Sequence, residues 1–282
     1  IDEIVFVDPK DMQDGKVAIT GRDITTNLPY VPGVGMAFDH HSSEVLRNPG
    51  EHPNLVNHPN APSAARVVFD HFGGGLRFPE NFHFMLEAVD KADSARFDRD
   101  EILRPSRWVL LNYLMDSRTG LGRFRDFRIG NYDLMMGLID FCRDHSIEEI
   151  LSLPDVKERV GVYLEHAPKA KEQITRCATV HDNLVVLDLR NEDKIWACNR
   201  FMIYALFPEI NISIHVIWGV KNQNTVFATG KSILNRTSKT DIGALMLEYG
   251  GGGHEAAGTC QVSNDEADAT LAKLVKIINQ DG

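Results

Sequence analysis

The chain of 282 residues has only four cysteines, Cys142, Cys177, Cys198 and Cys260, and no two of them form a Cys-x-x-Cys pair. This scatter excludes a disulfide framework and a cysteine-ligated zinc site. It reads as free, mostly buried thiols in a reducing compartment. No apolar run approaches the roughly 18 residues that span a bilayer, and no charged segment leads into an apolar one after Ile1. The expectation is a cytoplasmic protein that does not enter a membrane. A basic excess is missing too: 30 Lys and Arg stand against 40 Asp and Glu, a formal charge of −10. Duplex DNA is therefore excluded as a general electrostatic partner, since that needs a broad basic face. A small anionic substrate stays open, because bound metal ions can reverse the sign of one pocket. Repeats and low-complexity tracts are absent as well. The composition, 43% apolar and 25% charged, is enough for a packed core and argues against disorder.

The patterning predicts an α/β protein. Apolar runs at residues 4–7, 17–20 and 33–38 read as strands, the last leading up to Asp39. Residues 63–72 read as a helix with Ser63 as N-cap and Gly73-Gly74-Gly75 as terminator. Residues 82–92 and 107–115 are further helices, and strands followed by helices predict a mostly parallel sheet with ligands at the strands' C-terminal ends. Residues 156–177 form one long helical pattern. Strands follow at 184–189, 212–218 and 225–229, then helices at 241–249 and 266–279. The expected division is an N-terminal domain over 1–150, a connecting helix over 151–183, and a smaller mixed-sheet α/β domain over 184–282.

Two motifs stand above this background. Asp39-His40-His41 follows the apolar strand, and imidazole with carboxylate suits Mn2+, Fe2+ or Zn2+. A charged surface turn is the bland alternative. The second motif is Gly250-Gly251-Gly252-Gly253-His254, followed by Glu255-Ala256-Ala257-Gly258. Its glycines let backbone approach a ligand closely, and successive N–H groups can form an anion-binding nest to which His254 adds a donor. A flexible helix cap is the alternative there.

The two motifs, in this order, resemble the paired signatures of the DHH phosphoesterases with a DHH-associated C-terminal domain. That superfamily includes RecJ-type exonucleases, nano-RNases that also act as pAp phosphatases, cyclic-dinucleotide phosphodiesterases and exopolyphosphatase-related proteins. The resemblance implies a two-metal site, usually Mn2+ with Mg2+ or Co2+ as substitutes, in the first domain. On this resemblance Asp23 is the acid that bridges both metals, His40 binds metal, His41 faces the phosphate, and Asp39 orients the pair. Asp90 resembles the acidic ligand that follows, with Asp93 one helical turn away as its competitor. The family's first motif, an Asp-x-Asp loop, is not visible. Asp8, Asp11 and Asp14 lie too close to Asp23 for a strand-helix-strand unit of about thirty residues. The expectation is that the family's first strand and helix are missing.

Weaker candidates complete the set. Residues 116–125 place Arg118, Arg123 and Arg125 in one loop, with Arg128 just beyond; guanidinium forks suit phosphate. Arg236 resembles an arginine that precedes the Gly-rich motif and helps hold substrate, alongside Gly252, Gly253 and His254. The implied function is a metal-dependent phosphohydrolase acting on short single-stranded oligonucleotides, linear dinucleotides or pAp, the substrate being held between the two domains. Inorganic polyphosphate is the enzymatic alternative, and a catalytically impaired nucleotide-binding protein the other. A homodimer is compatible with all of these readings.

Overall fold

The computed structural model describes residues 1–124 and 126–282, with Leu46 described by its backbone alone. Arg125, part of the basic loop above, lies outside the described residues. The chain forms two compact units, Ile1–Arg96 and Phe97–Gly282.

The first unit contains α1 (Pro9–Gln13), β1 (Ile24–Thr26), β2 (Met36–Asp39), α2 (Ser42–Arg47), β3 (Leu55–Asn57), α3 (Ala64–His71) and α4 (Glu80–Asp93). Its strands form a parallel sheet in the order β1-β2-β3. Ala37 and Phe38 of β2 are fully buried, which fixes this strand as the core of the unit. Gly35 lets the chain enter it, because a Cβ there would stand 2.5 Å from the Gly21 carbonyl oxygen. Ser63 caps α3 by accepting from the Arg66 N–H at 3.0 Å, and Gly73, at φ 101°, ends it.

Two expected strands do not form. Residues 4–7 are irregular, with Val5 57% and Phe6 45% exposed, so the apolar run has no sheet to join among the described residues. Residues 17–20 are also irregular. The Thr20 N–H and hydroxyl both donate to the Asp23 carboxylate, at 2.7 and 2.9 Å. This side-chain turn takes the place of strand pairing, and β1 begins only at Ile24.

The second unit contains α5 (Arg99–Leu103), α6 (Arg107–Met115), α7 (Asn131–Asp144), α8 (Ile147–Ser152), α9 (Pro154–Cys177), β4 (Ala178–His181), β5 (Leu184–Asp188), α10 (Met202–Leu206), β6 (Ile212–Trp218), β7 (Thr225–Lys231), α11 (Ile242–Glu248), β8 (Gly252–His254), β9 (Ala257–Val262) and α12 (Ala267–Asp281). Its mixed sheet runs β4-β5-β6-β7-β9-β8; β5 and β6 are parallel and the other pairs antiparallel. Leu184, Val186, Ile212, Ile214, Val216 and Phe227 of the sheet share a core with Ile242 and Met246 of α11 and Leu274 and Ile278 of α12.

Residues 151–183, expected as a connector, are mostly α9, which packs against α6, α8, α10 and β5 within this unit. The units therefore part at Arg96–Phe97 and not around residue 150. Arg159 of α9 is wholly buried yet paired: it donates to Asn131 Oδ1 at 2.9 Å, the Asp155 carbonyl at 2.9 Å and the Ile129 carbonyl at 2.7 Å. Those three bonds are what make a buried guanidinium tolerable.

Candidate functional site

β2 ends at Asp39, and α2 starts two residues after His40 with His41 as its N-cap. The sharp exit from strand to helix projects three polar side chains from the C-terminal edge of a parallel sheet. Asp39 is 1% exposed. Its Oδ1 accepts from the His40 N–H at 2.8 Å and from His41 Nδ1 at 2.7 Å. This bond to Asp39 is the main cause that raises the His41 pKa above its ordinary value, against the opposing effect of burial. The His41 side chain is 47% exposed, so a proton on Nε2 is available to an incoming anion. Asn57 donates to the His41 carbonyl at 3.1 Å and fixes the turn. Glu44 is buried beneath it, accepting from the Tyr30 N–H and the Asn48 side chain and pairing with Arg47.

The His40 ring stands beside that of His41, with centroids 4.7 Å apart. Its Nδ1 lies 3.1 Å from the Ala61 carbonyl, which can only accept, so that nitrogen carries the proton. In the neutral ring Nε2 then carries a lone pair; it is buried and without a hydrogen-bond partner among the described residues. Only 3.1 Å away stands Asp93 Oδ2. With that ring neutral the contact offers no hydrogen bond, since a lone pair and a carboxylate are both acceptors. The arrangement calls for a proton or a cation between them. Burial raises the Asp93 pKa, and the two histidines oppose that rise.

The separation also suits a metal: cis ligands bound at about 2.1 Å to one ion stand about 3 Å apart. His40 and Asp93 thus fit one edge of a coordination sphere. They do not complete it, because no cluster of three or more His, Cys, Asp or Glu able to hold an ion is found among the described residues.

The acid expected beside His40 was Asp90, and the structure engages it elsewhere. Asp90 Oδ1 accepts from Ser63 Oγ at 2.6 Å; Oδ2 accepts from Arg66 Nε at 2.9 Å and Nη2 at 2.5 Å. Both oxygens are committed, so Asp90 ties α4 to α3 and sets the helix turn that carries Asp93. Ser63 was read from sequence only as the cap of α3, and Arg66 was not singled out. Their spacing, an N-cap with an arginine three residues on, was the only available signal.

Asp23 is not brought to this cluster at all. Its carbonyl accepts from the N–H groups of Gly35 and Met36, and Ile24 pairs with Met36. Asp23 therefore sits at the entry of β1, level with Gly35. Four residues of strand, roughly 13 Å at 3.3 Å each, separate that level from Asp39. Asn27, whose N–H donates to the Phe38 carbonyl, occupies the end of β1 beside the cluster.

The remaining candidates lie in the second unit. Arg118, 60% exposed, donates to Asp116 Oδ1 through Nε at 2.7 Å. Arg123 donates to the Ile195 carbonyl at 3.1 Å, and Arg236 to the Ile233 carbonyl at 3.1 Å. The Gly-rich segment is not a free loop. Gly250, at φ 74°, ends α11. Gly252, Gly253 and His254 then form β8, paired with Thr259, Gly258 and Ala257 of β9. A Cβ on Gly253 would stand 2.3 Å from the Ala257 oxygen, and one on Gly251 would stand 2.1 Å from the Thr259 oxygen, whereas Gly252 has open space. Two of the glycines are thus required by close strand contact. β8 is an edge strand of the sheet, and α11 packs against its backbone: a Cβ on Gly243 would stand 2.9 Å from the Gly253 oxygen.

Comparison with solved structures finds a pGpG-specific phosphodiesterase, PggH, from Vibrio cholerae, with 59% sequence identity and a TM-score of 0.89 over 100% of this chain and 92% of that one. An exopolyphosphatase-related protein from Bacteroides fragilis shows 14% identity and a TM-score of 0.45 over 87% of this chain and 64% of that one, a likeness too distant to carry an argument. No protein-family model matches the chain, and no curated protein matches it. No helix among the described residues is long and apolar enough to cross a membrane.

Proposed function

The chain belongs to the DHH family of phosphoesterases, and we propose that it is a metal-dependent phosphodiesterase that hydrolyses a 5′-phosphorylated linear dinucleotide of the pGpG type to mononucleotides. The observation that carries the reading is the opposed pair of acceptors, His40 Nε2 and Asp93 Oδ2, next to the Asp39–His41 hydrogen bond. The identity to a pGpG-specific enzyme over the whole chain supports the choice of substrate.

In this reading His40 and Asp93 hold a divalent cation, Mn2+ by family resemblance, with Asp90 positioning Asp93 through α4. Such an ion, when bound, neutralises phosphate charge and lowers the pKa of water near it. Asp39 fixes the His41 ring and favours its protonated form. His41 then donates from Nε2 to a non-bridging phosphate oxygen, where negative charge builds as the nucleophile adds. By the family resemblance, Arg236, Gly252, Gly253 and His254, with Arg118 and Arg123, are the second unit's candidates for substrate binding. A second ion, as in the two-metal scheme of the family, would need ligands beyond this pair.

The test is release of mononucleotide from pGpG, followed by chromatography, with Mn2+ and after chelation. Hydrolysis that stops on chelation and returns with Mn2+ supports the reading. Turnover untouched by chelation rejects the metal, and release of phosphate from polyphosphate with none from pGpG rejects the substrate.

A further inference from the structure

Arg200 has no place in the sequence motifs. It follows Asn199, which is 1% exposed and anchors its loop by donating to the Ile102 carbonyl and to Tyr163 Oη, both at 3.0 Å, and accepting from the Phe201 N–H. The neighbouring Cys198 N–H donates to the Thr119 carbonyl at 3.1 Å. The loop therefore brings Arg200 to the segment that carries Arg118.

Asp116 stands between the two arginines. Arg118 donates to its Oδ1 through both the main-chain N–H and Nε, at 2.9 and 2.7 Å. Arg200 Nε lies 3.6 Å from Oδ2, an ion pair too long for a hydrogen bond, and is buried without a hydrogen-bond partner among the described residues. The Arg200 side chain is only 33% exposed, and its guanidinium rests over the Phe201 ring at 4.4 Å. Burial and the charge of Arg118 both make its positive charge costly.

Two cations share one carboxylate here, in a chain of net charge −10. Two hydroxyls close by, Thr119 Oγ1 and Tyr113 Oη, are buried without a hydrogen-bond partner among the described residues, on side chains 2% and 1% exposed. Tyr113 is near enough for the charges of Arg200 and Asp116 to act on it. A buried donor held in place with nothing to donate to is expensive, and an anion would satisfy it.

We infer that Arg200 and Arg118, on either side of Asp116, form a site for a terminal phosphate group, which in a linear dinucleotide substrate is the 5′-phosphate. The donor count favours the terminal group over the diester. A phosphate monoester presents three free oxygens and up to two negative charges, a diester two oxygens and one charge. Arg200 brings five N–H donors, none of them engaged in a hydrogen bond among the described residues, and the outer nitrogens of Arg118 add more. The assignment to a 5′-phosphate rests on the dinucleotide reading above; the phosphate site itself does not.

The test uses the full chain with inorganic phosphate, and with two dinucleotides that differ only in carrying a 5′-phosphate or a 5′-hydroxyl. Arg200→Gln and Arg118→Gln are each expected to weaken inorganic phosphate by tenfold or more in isothermal titration. Each should also lower the ratio of kcat/KM for the phosphorylated over the unphosphorylated dinucleotide by tenfold or more. Thermal melts establish that the variants are folded; Arg118 is largely exposed, so its variant carries the test should Arg200→Gln not fold. Unchanged phosphate affinity overturns the site. Weakened phosphate with an unchanged ratio overturns its assignment to the 5′-phosphate. Weakened phosphate with neither dinucleotide cleaved by the wild type supports the site and overturns the dinucleotide reading alone.

Discussion

Replacing single glycines in β8 separates strand packing from ligand binding. A methyl group on Gly253 would have to occupy a point 2.3 Å from the Ala257 oxygen and 2.4 Å from the Gly258 Cα, both main-chain atoms of the paired strand. Neither can swing aside as a side chain would. Overpacking of this kind costs about 1–3 kcal/mol. At about 2 kcal/mol, and 2–4 °C of Tm per kcal/mol for a unit of this size, Gly253→Ala should melt about 4–8 °C below the wild type. Gly252→Ala meets nothing within 4 Å, so its melting temperature should stay within about 2 °C. If Gly252 holds substrate, this second variant should still raise KM about fivefold, the equivalent of one net hydrogen bond of about 1 kcal/mol. Differential scanning fluorimetry and initial rates on pGpG read both effects. A wild-type Tm for Gly253→Ala would refute the packing argument, and a wild-type KM for Gly252→Ala would remove Gly252 from substrate binding.

Three further outcomes follow from the site and the core. Asp93→Asn should weaken Mn2+ by about 10–100-fold in titration with little loss of stability. Asp90→Asn should instead cost stability, about 1.5–3 kcal/mol by urea unfolding, because it disrupts the charged hydrogen bonds with Arg66; equal effects from the two would sink the division of roles. The His41 imidazole, raised by Asp39, should titrate above 6.5 by NMR in the wild type and fall back towards 6.5 in Asp39→Asn. Burial holds His215 down to about 4, so the unfolded chain takes up a proton that the native state refuses as pH falls from 6.5 towards 4, and stability is lost over that window. His215→Leu should flatten this part of the urea midpoint's dependence on pH, and an unchanged slope would assign the loss to other groups.

Much of this could be read from the residues. The run from Val34 to Phe38 ends in β2 with Asp39 at its tip, and Ser63 and Gly73 bound α3 as cap and stop. The strand at 212–218 and the helix at 266–279 were equally plain, as β6 and α12. What could not be read was pairing. Residues 4–7 and 17–20 have strand composition, but composition says nothing about whether a neighbouring strand exists. Asp23 is sixteen residues before Asp39, a spacing equally consistent with either end of a parallel strand; only the register of Ile24 with Met36 sends it to the far end. Asp90 and Asp93 share a helix one turn apart, and their roles divide only because Arg66 reaches the first. The glycine run hid a strand because a residue without a side chain leaves no alternation to see.

The three-residue strand β8 closes one edge of the six-stranded sheet. An uncovered edge is ordinarily a template on which another chain can add a strand and begin aggregation. Here two of the three residues are glycine, among the poorest strand formers, and three residues offer a foreign strand too short a ladder to hold. Such an edge offers a second chain little to pair with. Lengthening β8 with branched side chains would remove that protection even if every contact inside the sheet were kept.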